Sequence, residues 1–251
     1  MELHYDEYGS GDPVLLIHGL GGSSNVWGAQ APALSRFFRI IVPDLRGAGR
    51  SAARDGINVT TMVADLVELL DRLAITQAHT IGHSFGSVLA QHLAVNHPTR
   101  VGRLGLIGPI RAPSEAAVKA LTERAAQARR EGLDAIANAT VLVGTSAQTR
   151  ARNPASAAFV REMVMRQDPQ AYAATCEAIA NTQGAALETL HCPSLVLTGD
   201  EDATSPPAAA RAIATALEGS TFAIVSRCGH WAPLEQPEAV TNHVMNFLFQ
   251  K

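Results

Sequence analysis

The sequence predicts an α/β fold: a doubly wound, mostly parallel sheet interrupted by a helical insertion. Three observations carry that expectation. Short apolar runs rich in β-branched residues recur between turn residues, segments with helical spacing alternate with them, and one long stretch (111–187) breaks the alternation with helical patterns and no good strand. Continuous apolar runs suit strands buried on both faces, and strand–helix alternation is the signature of a parallel sheet.

The candidate strands lie at 14–17, 38–42, 78–81, 104–107, 195–198 and 222–225, with an amphipathic edge strand around 3–8. Between them, 60–73 places Met62, Val63, Leu66, Leu69, Leu70 and Leu73 on one helical stripe. The Ala- and Leu-rich segment 87–96 ends at His97-Pro98, and 206–217 and 237–249 each open on a proline, which suits a first helical turn. Helical patterns at 114–131, 133–143, 155–166 and 170–181 fill the insertion, punctuated by Pro154 and Pro169. Loops beyond roughly 15 residues without structure are uncommon in compact domains, so this segment is expected to fold. The expected organisation is a core of 1–110 and 188–251 with 111–187 as a helical cap over one end of the sheet.

Composition limits the function. The chain has 251 residues, 47% hydrophobic and 17% charged, which suits one large folded domain. A net charge of −3 without a basic stripe gives no support for a nucleic-acid partner. The start, Met1-Glu2-Leu3-His4-Tyr5-Asp6-Glu7, has neither the basic residues nor the apolar run of a secretory leader, and no apolar stretch is long enough to cross a bilayer. A cytoplasmic location and no membrane partner are therefore expected. Cys176, Cys192 and Cys228 are scattered, and neither a disulfide framework, a zinc site nor any other cofactor is expected. The oligomeric state is not legible.

The chemistry concentrates in turns after strands. Gly82-His83-Ser84-Phe85-Gly86 matches G-x-S-x-G between a predicted strand and a predicted helix, the context of a nucleophile elbow, and makes Ser84 the candidate nucleophile. His18-Gly19-Leu20-Gly21-Gly22 follows the first buried strand. An acyl-transfer oxyanion needs two backbone N–H donors, here assigned to Leu20 and Phe85, with His18 supporting the loop. Among nine histidines, His230 in Cys228-Gly229-His230-Trp231 follows the last strand at the same sheet edge and is the candidate base. The loop Gly199-Asp200-Glu201-Asp202 offers three carboxylates; Asp202 is favoured, because Asp200 and Glu201 lie nearer the strand end, where they hold the turn. The chain order is Ser84, Asp202, His230. Trp27 and Trp231 are candidate pocket walls, Arg111 a hinge residue that could meet a substrate carboxylate, and Asp44-Leu45-Arg46-Gly47-Ala48-Gly49-Arg50-Ser51 a buttressing loop.

Together, His18-Gly19, Asp44-x-Arg46-Gly47-x-Gly49-x-Ser51, Gly82-x-Ser84-x-Gly86, Gly199-x-x-Asp202-x-x-x-Pro206 and Gly229-His230 resemble the α/β-hydrolase superfamily. The loop and tryptophan of 20–27, Pro169-x-x-Tyr172-Ala173-Ala174 and Pro206-Pro207 are similar to its 3-oxoadipate enol-lactonase and small carboxylesterase branch. That resemblance implies hydrolysis of a small-molecule ester or lactone by Ser84, Asp202 and His230. Gly229-His230-Trp231 is similar to the meta-cleavage C–C hydrolases, although the Asn they carry before the nucleophile is here His83. Serine at 84, where haloalkane dehalogenases carry aspartate, speaks against that activity. A ligand receptor on a hydrolase fold is the rival of another class; its usual mark, a damaged triad, is missing from this sequence.

Overall fold

The computed structural model describes residues 1–250. Seven strands, β1 (Tyr5–Tyr8), β2 (Pro13–Ile17), β3 (Arg39–Pro43), β4 (Ala78–His83), β5 (Val101–Ile107), β6 (Ser194–Gly199) and β7 (Thr221–Val225), form one sheet in the order β1-β3-β2-β4-β5-β6-β7. β1 runs antiparallel to β3 and every other pairing is parallel. The expected doubly wound, mostly parallel sheet is therefore present.

Alternating side chains of the strands face two apolar layers. In β2, Leu15 and Ile17 meet one layer and Val14 and Leu16 the other. Helices α1 (Gln30–Leu34), α2 (Val59–Arg72) and α3 (Phe85–Asn96) precede the insertion. α2 presents Met62, Leu66, Leu69 and Leu70 to the first layer, as its stripe predicts, and Asn58 caps it by accepting from the Thr61 N–H. Leu73 lies just beyond the helix end as its C-cap.

Between β5 and β6 the chain forms α4 (Glu115–Glu131), α5 (Asp134–Gly144), α6 (Ala147–Arg152), α7 (Pro154–Met165) and α8 (Pro169–Ala180), with no strand among them. Pro154 and Pro169 each open a helix, and Asn153 and Asp168 cap them. These helices share a small core of their own built around Ala128, Ile136, Val164, Tyr172 and Cys176. After β6 come α9 (Pro207–Ala216), α10 (Ala232–Glu235) and α11 (Pro237–Phe249). Lys251, the last residue of the expected core, lies outside the described residues. Among the described residues no helix is long and apolar enough to cross a membrane.

One strand departs from expectation. The run at 222–225 was expected to be buried on both faces, but β7 is a sheet edge and Ile224 is exposed. The physical reason is position: an edge strand has a neighbour on one side only, and apolar content alone does not reveal which strand ends the sheet.

Candidate active site

The carboxyl ends of β2, β4, β6 and β7 bring Leu20, Ser84, Asp202 and His230 to one edge. Ser84 sits between β4 and α3 with φ 54° and ψ −120°. A non-glycine residue held there costs about 1–3 kcal/mol, so the surroundings must impose it. They do so by close approach. A Cβ on Gly82 would lie 2.2 Å from the Gly86 carbonyl oxygen, and one on Gly86 would lie 2.3 Å from the Ile17 oxygen. The two glycines of the pentapeptide are thus required because backbone passes where side chains would be.

The Ser84 Oγ lies 2.8 Å from His230 Nε2, and His230 Nδ1 lies 2.9 and 3.1 Å from the two Asp202 oxygens. A carboxylate accepts, so Nδ1 carries the proton and Nε2 is free to accept from the serine hydroxyl. Asp202 also accepts from the Thr204 and Ser205 N–H groups, at 2.8 and 2.7 Å. Burial pushes its carboxyl up, but His230 and those N–H donors outweigh burial and hold it below the usual carboxylate range. It is therefore ionised at neutral pH.

Asp200 and Glu201 take the structural parts expected of them. Asp200 accepts from the Cys228 N–H, tying the β6 loop to the β7 loop, and Glu201 accepts from the Ala147 N–H at the start of α6.

The Leu20 loop is held from beneath by His18, which is buried. Its Nδ1–H donates to the Gly19 carbonyl at 2.9 Å and its Nε2 accepts from the Leu45 N–H at 3.0 Å. Burial pushes its pKa down, so the ring stays neutral. A Cβ on Gly19 would come within 2.7 Å of the Ser84 Cβ, which shows how tightly the loop passes the serine. Among the described residues neither the Leu20 nor the Phe85 N–H has a hydrogen-bond acceptor. Asp44 buttresses this region from a buried position, accepting from the Ser24 N–H and from Arg50.

A cavity of about 560 Å³ opens over Ser84 and His230, within the range of small-molecule sites. Its floor includes Leu20, Pro206 and Trp231, and α4, α5 and α8 supply its roof. Trp231 therefore stands where a pocket wall was expected. Trp27 does not: it is 1% exposed, packs with Val26, Leu34 and Phe247 beneath the opposite face of the sheet, and does not line the cavity. The short helical turn Ser24–Trp27 carries it away from the sheet edge into the core, a direction sequence spacing cannot reveal. Arg111, a few residues after β5, donates to Glu188 and to the Ala185 carbonyl and does not line the cavity.

A family model described as alpha/beta hydrolase fold matches residues 12–237. The chain belongs to the α/β-hydrolase family. Among solved structures it is similar to a thermophilic esterase from Thermogutta terrifontis, with TM-score 0.94 and 33% identity, covering 98% of this chain and 92% of that one. It is also similar to the enol-lactonase of Burkholderia xenovorans LB400, with TM-score 0.93 and 29% identity over 99% and 96% of the two chains. Among curated relatives, the 2-hydroxy-6-oxo-2,4-heptadienoate hydrolase of Pseudomonas putida (strain F1) is 29% identical over 99% of this chain and 93% of its own.

The geometry of this hydrolase site depends on residues that sequence reasoning did not select. His83, next to the serine, turns away from it and donates through Nε2–H to the His230 carbonyl at 2.8 Å. Burial, with His230 nearby, pushes its pKa down to about 3, so it is neutral. The His230 N–H donates to the Gly144 carbonyl at the end of α5, at 2.8 Å. The His230 peptide is thus clamped on both sides, by the elbow and by the insertion. No local signal marks these pairs, because His83 and His230 are 147 positions apart.

Proposed function

We propose that this hydrolase cleaves a carboxylic ester or lactone through an acyl-enzyme, with 111–187 serving as the cap over the site. The reading rests above all on the unbroken chain from Ser84 Oγ through His230 to the buried Asp202 carboxylate, opening into a cavity. In the first half-reaction Ser84 Oγ attacks the carbonyl carbon while its proton passes to His230 Nε2. The oxyanion accepts from the Leu20 and Phe85 N–H groups, which have no other acceptor, and the positive end of α3 favours the same charge. His230 returns the proton to the leaving alkoxide as the C–O bond breaks. In the second half a water gives its proton to His230 as it attacks the acyl carbon; the bond to Ser84 Oγ then breaks, His230 returns the proton to that oxygen, and the acid is released. Asp202 remains ionised throughout, orienting the ring and stabilising the imidazolium.

The similarity to an esterase and an enol-lactonase supports the ester or lactone bond as substrate. The test is a panel of short 4-nitrophenyl esters, lactones and yellow ring-fission dienoates turned over by the wild type and by Ser84→Ala. The expected result is turnover of esters or lactones, reduced by several orders of magnitude in Ser84→Ala. Inert esters and lactones with rapidly cleaved dienoates would instead establish C–C hydrolysis, and parent-rate ester turnover by Ser84→Ala would remove the serine mechanism.

A further inference from the structure

The roof of the cavity carries one feature the acyl-enzyme chemistry does not use. Arg124 on α4, Thr140 on α5 and Tyr172 on α8 all line it. Arg124 is the only arginine or lysine among the described lining residues, and no carboxylate is among them. Of the other arginines in the insertion, Arg111, Arg129, Arg130 and Arg161 each pair with a carboxylate, Arg150 donates to backbone carbonyls, and Arg152 and Arg166, which have no salt bridge among the described residues, do not line the cavity. Arg124 forms no salt bridge among the described residues, although it is partly withdrawn from solvent. Beside it, the Thr140 hydroxyl is buried and has no hydrogen-bond partner. Tyr172 is 3% exposed; burial pushes its phenol up while Arg124 and Thr140 next to it pull the other way.

A half-buried guanidinium without a counter-charge and a buried hydroxyl without a hydrogen-bond partner are unfavourable unless something supplies the missing acceptor. Three helices contribute the cluster and all three groups can donate, so the missing group is an acceptor. A single positive charge with no carboxylate in the cavity lining matches a single negative one, and a planar guanidinium meets a carboxylate through two parallel hydrogen bonds. We propose that the substrate carries a carboxylate remote from its scissile carbonyl, held by Arg124 with Thr140 and Tyr172 as auxiliary donors. This rests on the acyl-enzyme reading for the end of the cavity at Ser84. Arg124 thereby selects acidic esters or lactones over neutral ones and fixes which end of the substrate reaches the serine.

The test separates binding from turnover. Isothermal titration of Ser84→Ala protein measures binding of the monophenyl esters of glutaric and pimelic acids, and of the same esters capped with methyl as neutral controls. The free-acid form of at least one is expected to bind about tenfold tighter or more than its capped form, the scale of a charge-assisted hydrogen bond. Adding Arg124→Gln is expected to collapse that difference, and Arg124→Lys to keep part of it. Equal binding of acid and capped esters, or a preference that survives Arg124→Gln, would overturn the proposal; the comparison on Ser84→Ala alone stands even if a second substitution fails to fold. Turnover of the same esters by the wild type reports on hydrolysis separately. An acid preference without turnover upholds the carboxylate site and removes the ester reading. Turnover without an acid preference overturns the carboxylate site alone.

Discussion

At the scale of single residues, the proposed mechanism requires that one proton have one place to be. Asp202 accepts from His230 Nδ1–H and from two backbone N–H groups, so its charge fixes the tautomer that leaves Nε2 free. Asp202→Asn would keep the shape but let the side-chain amide face Nδ1 as a donor. The expected result is a fall in kcat of about 10⁴-fold with the circular dichroism spectrum unchanged; a loss of less than about tenfold would remove Asp202 from the mechanism. Ser84, Asp202 and His230 were legible because each follows its strand within a few residues and carries a local motif. His83 was adjacent to the motif yet illegible as a clamp, since its partner is the His230 carbonyl across the sheet edge. Trp27 was misleading for the converse reason: an aromatic near a functional loop is more often core, and here the turn after the loop sends it there.

At the scale of elements, the insertion and the histidine loop are joined by one buried carboxylate. Glu235 on α10 accepts from the Ser146 N–H at 2.7 Å and the Thr149 hydroxyl at 2.9 Å through Oε2, and from the Trp231 N–H at 3.1 Å through Oε1. Glu235→Gln replaces one of those acceptors with an amide facing donors. It is expected to destabilise the protein by about 2–3 kcal/mol, read as a lower urea midpoint, and an unchanged midpoint would contradict this account of the join. Four helices of the insertion were legible from apolar spacing and their opening prolines. α6 was not, because Ala147–Arg152 is too short to show a period and is fixed by the Ser146 cap. α1 and α10 are equally short, and Glu235 looks like a surface acid until its partners, 86 and 89 positions away, are in place.

At the scale of the whole molecule, the same buried histidines that shape the site make stability depend on pH. His18 and His83 are buried, and burial lowers both pKa values in the folded protein, that of His83 to about 3. In the unfolded chain each takes a proton near pH 6.5. Below that pH the unfolded state binds more protons, so stability falls as pH falls, by about 1.4 kcal/mol per pH unit for His83, and His18 acts in the same direction. Asp202, whose folded pKa is depressed, loses its contribution only at still lower pH. Urea unfolding at about pH 7.5 and about pH 5.5 is therefore expected to show lower stability at the acid value, by about 1.4 kcal/mol from His83 with His18 adding in the same direction; equal stabilities would mean that these rings are not neutral in the fold. The sheet and its switch from strand to helix were readable from periodicity, whereas the polarity of the cavity was not, since Arg124, Thr140 and Tyr172 converge only when three helices pack. The central claim is that Ser84 is a nucleophile activated by His230. Its most direct test is reaction with a fluorophosphonate followed by peptide mass spectrometry. The account predicts one adduct on the peptide containing Ser84, absent from Ser84→Ala and strongly slowed in His230→Ala; a native, folded protein that does not label at Ser84 would contradict it.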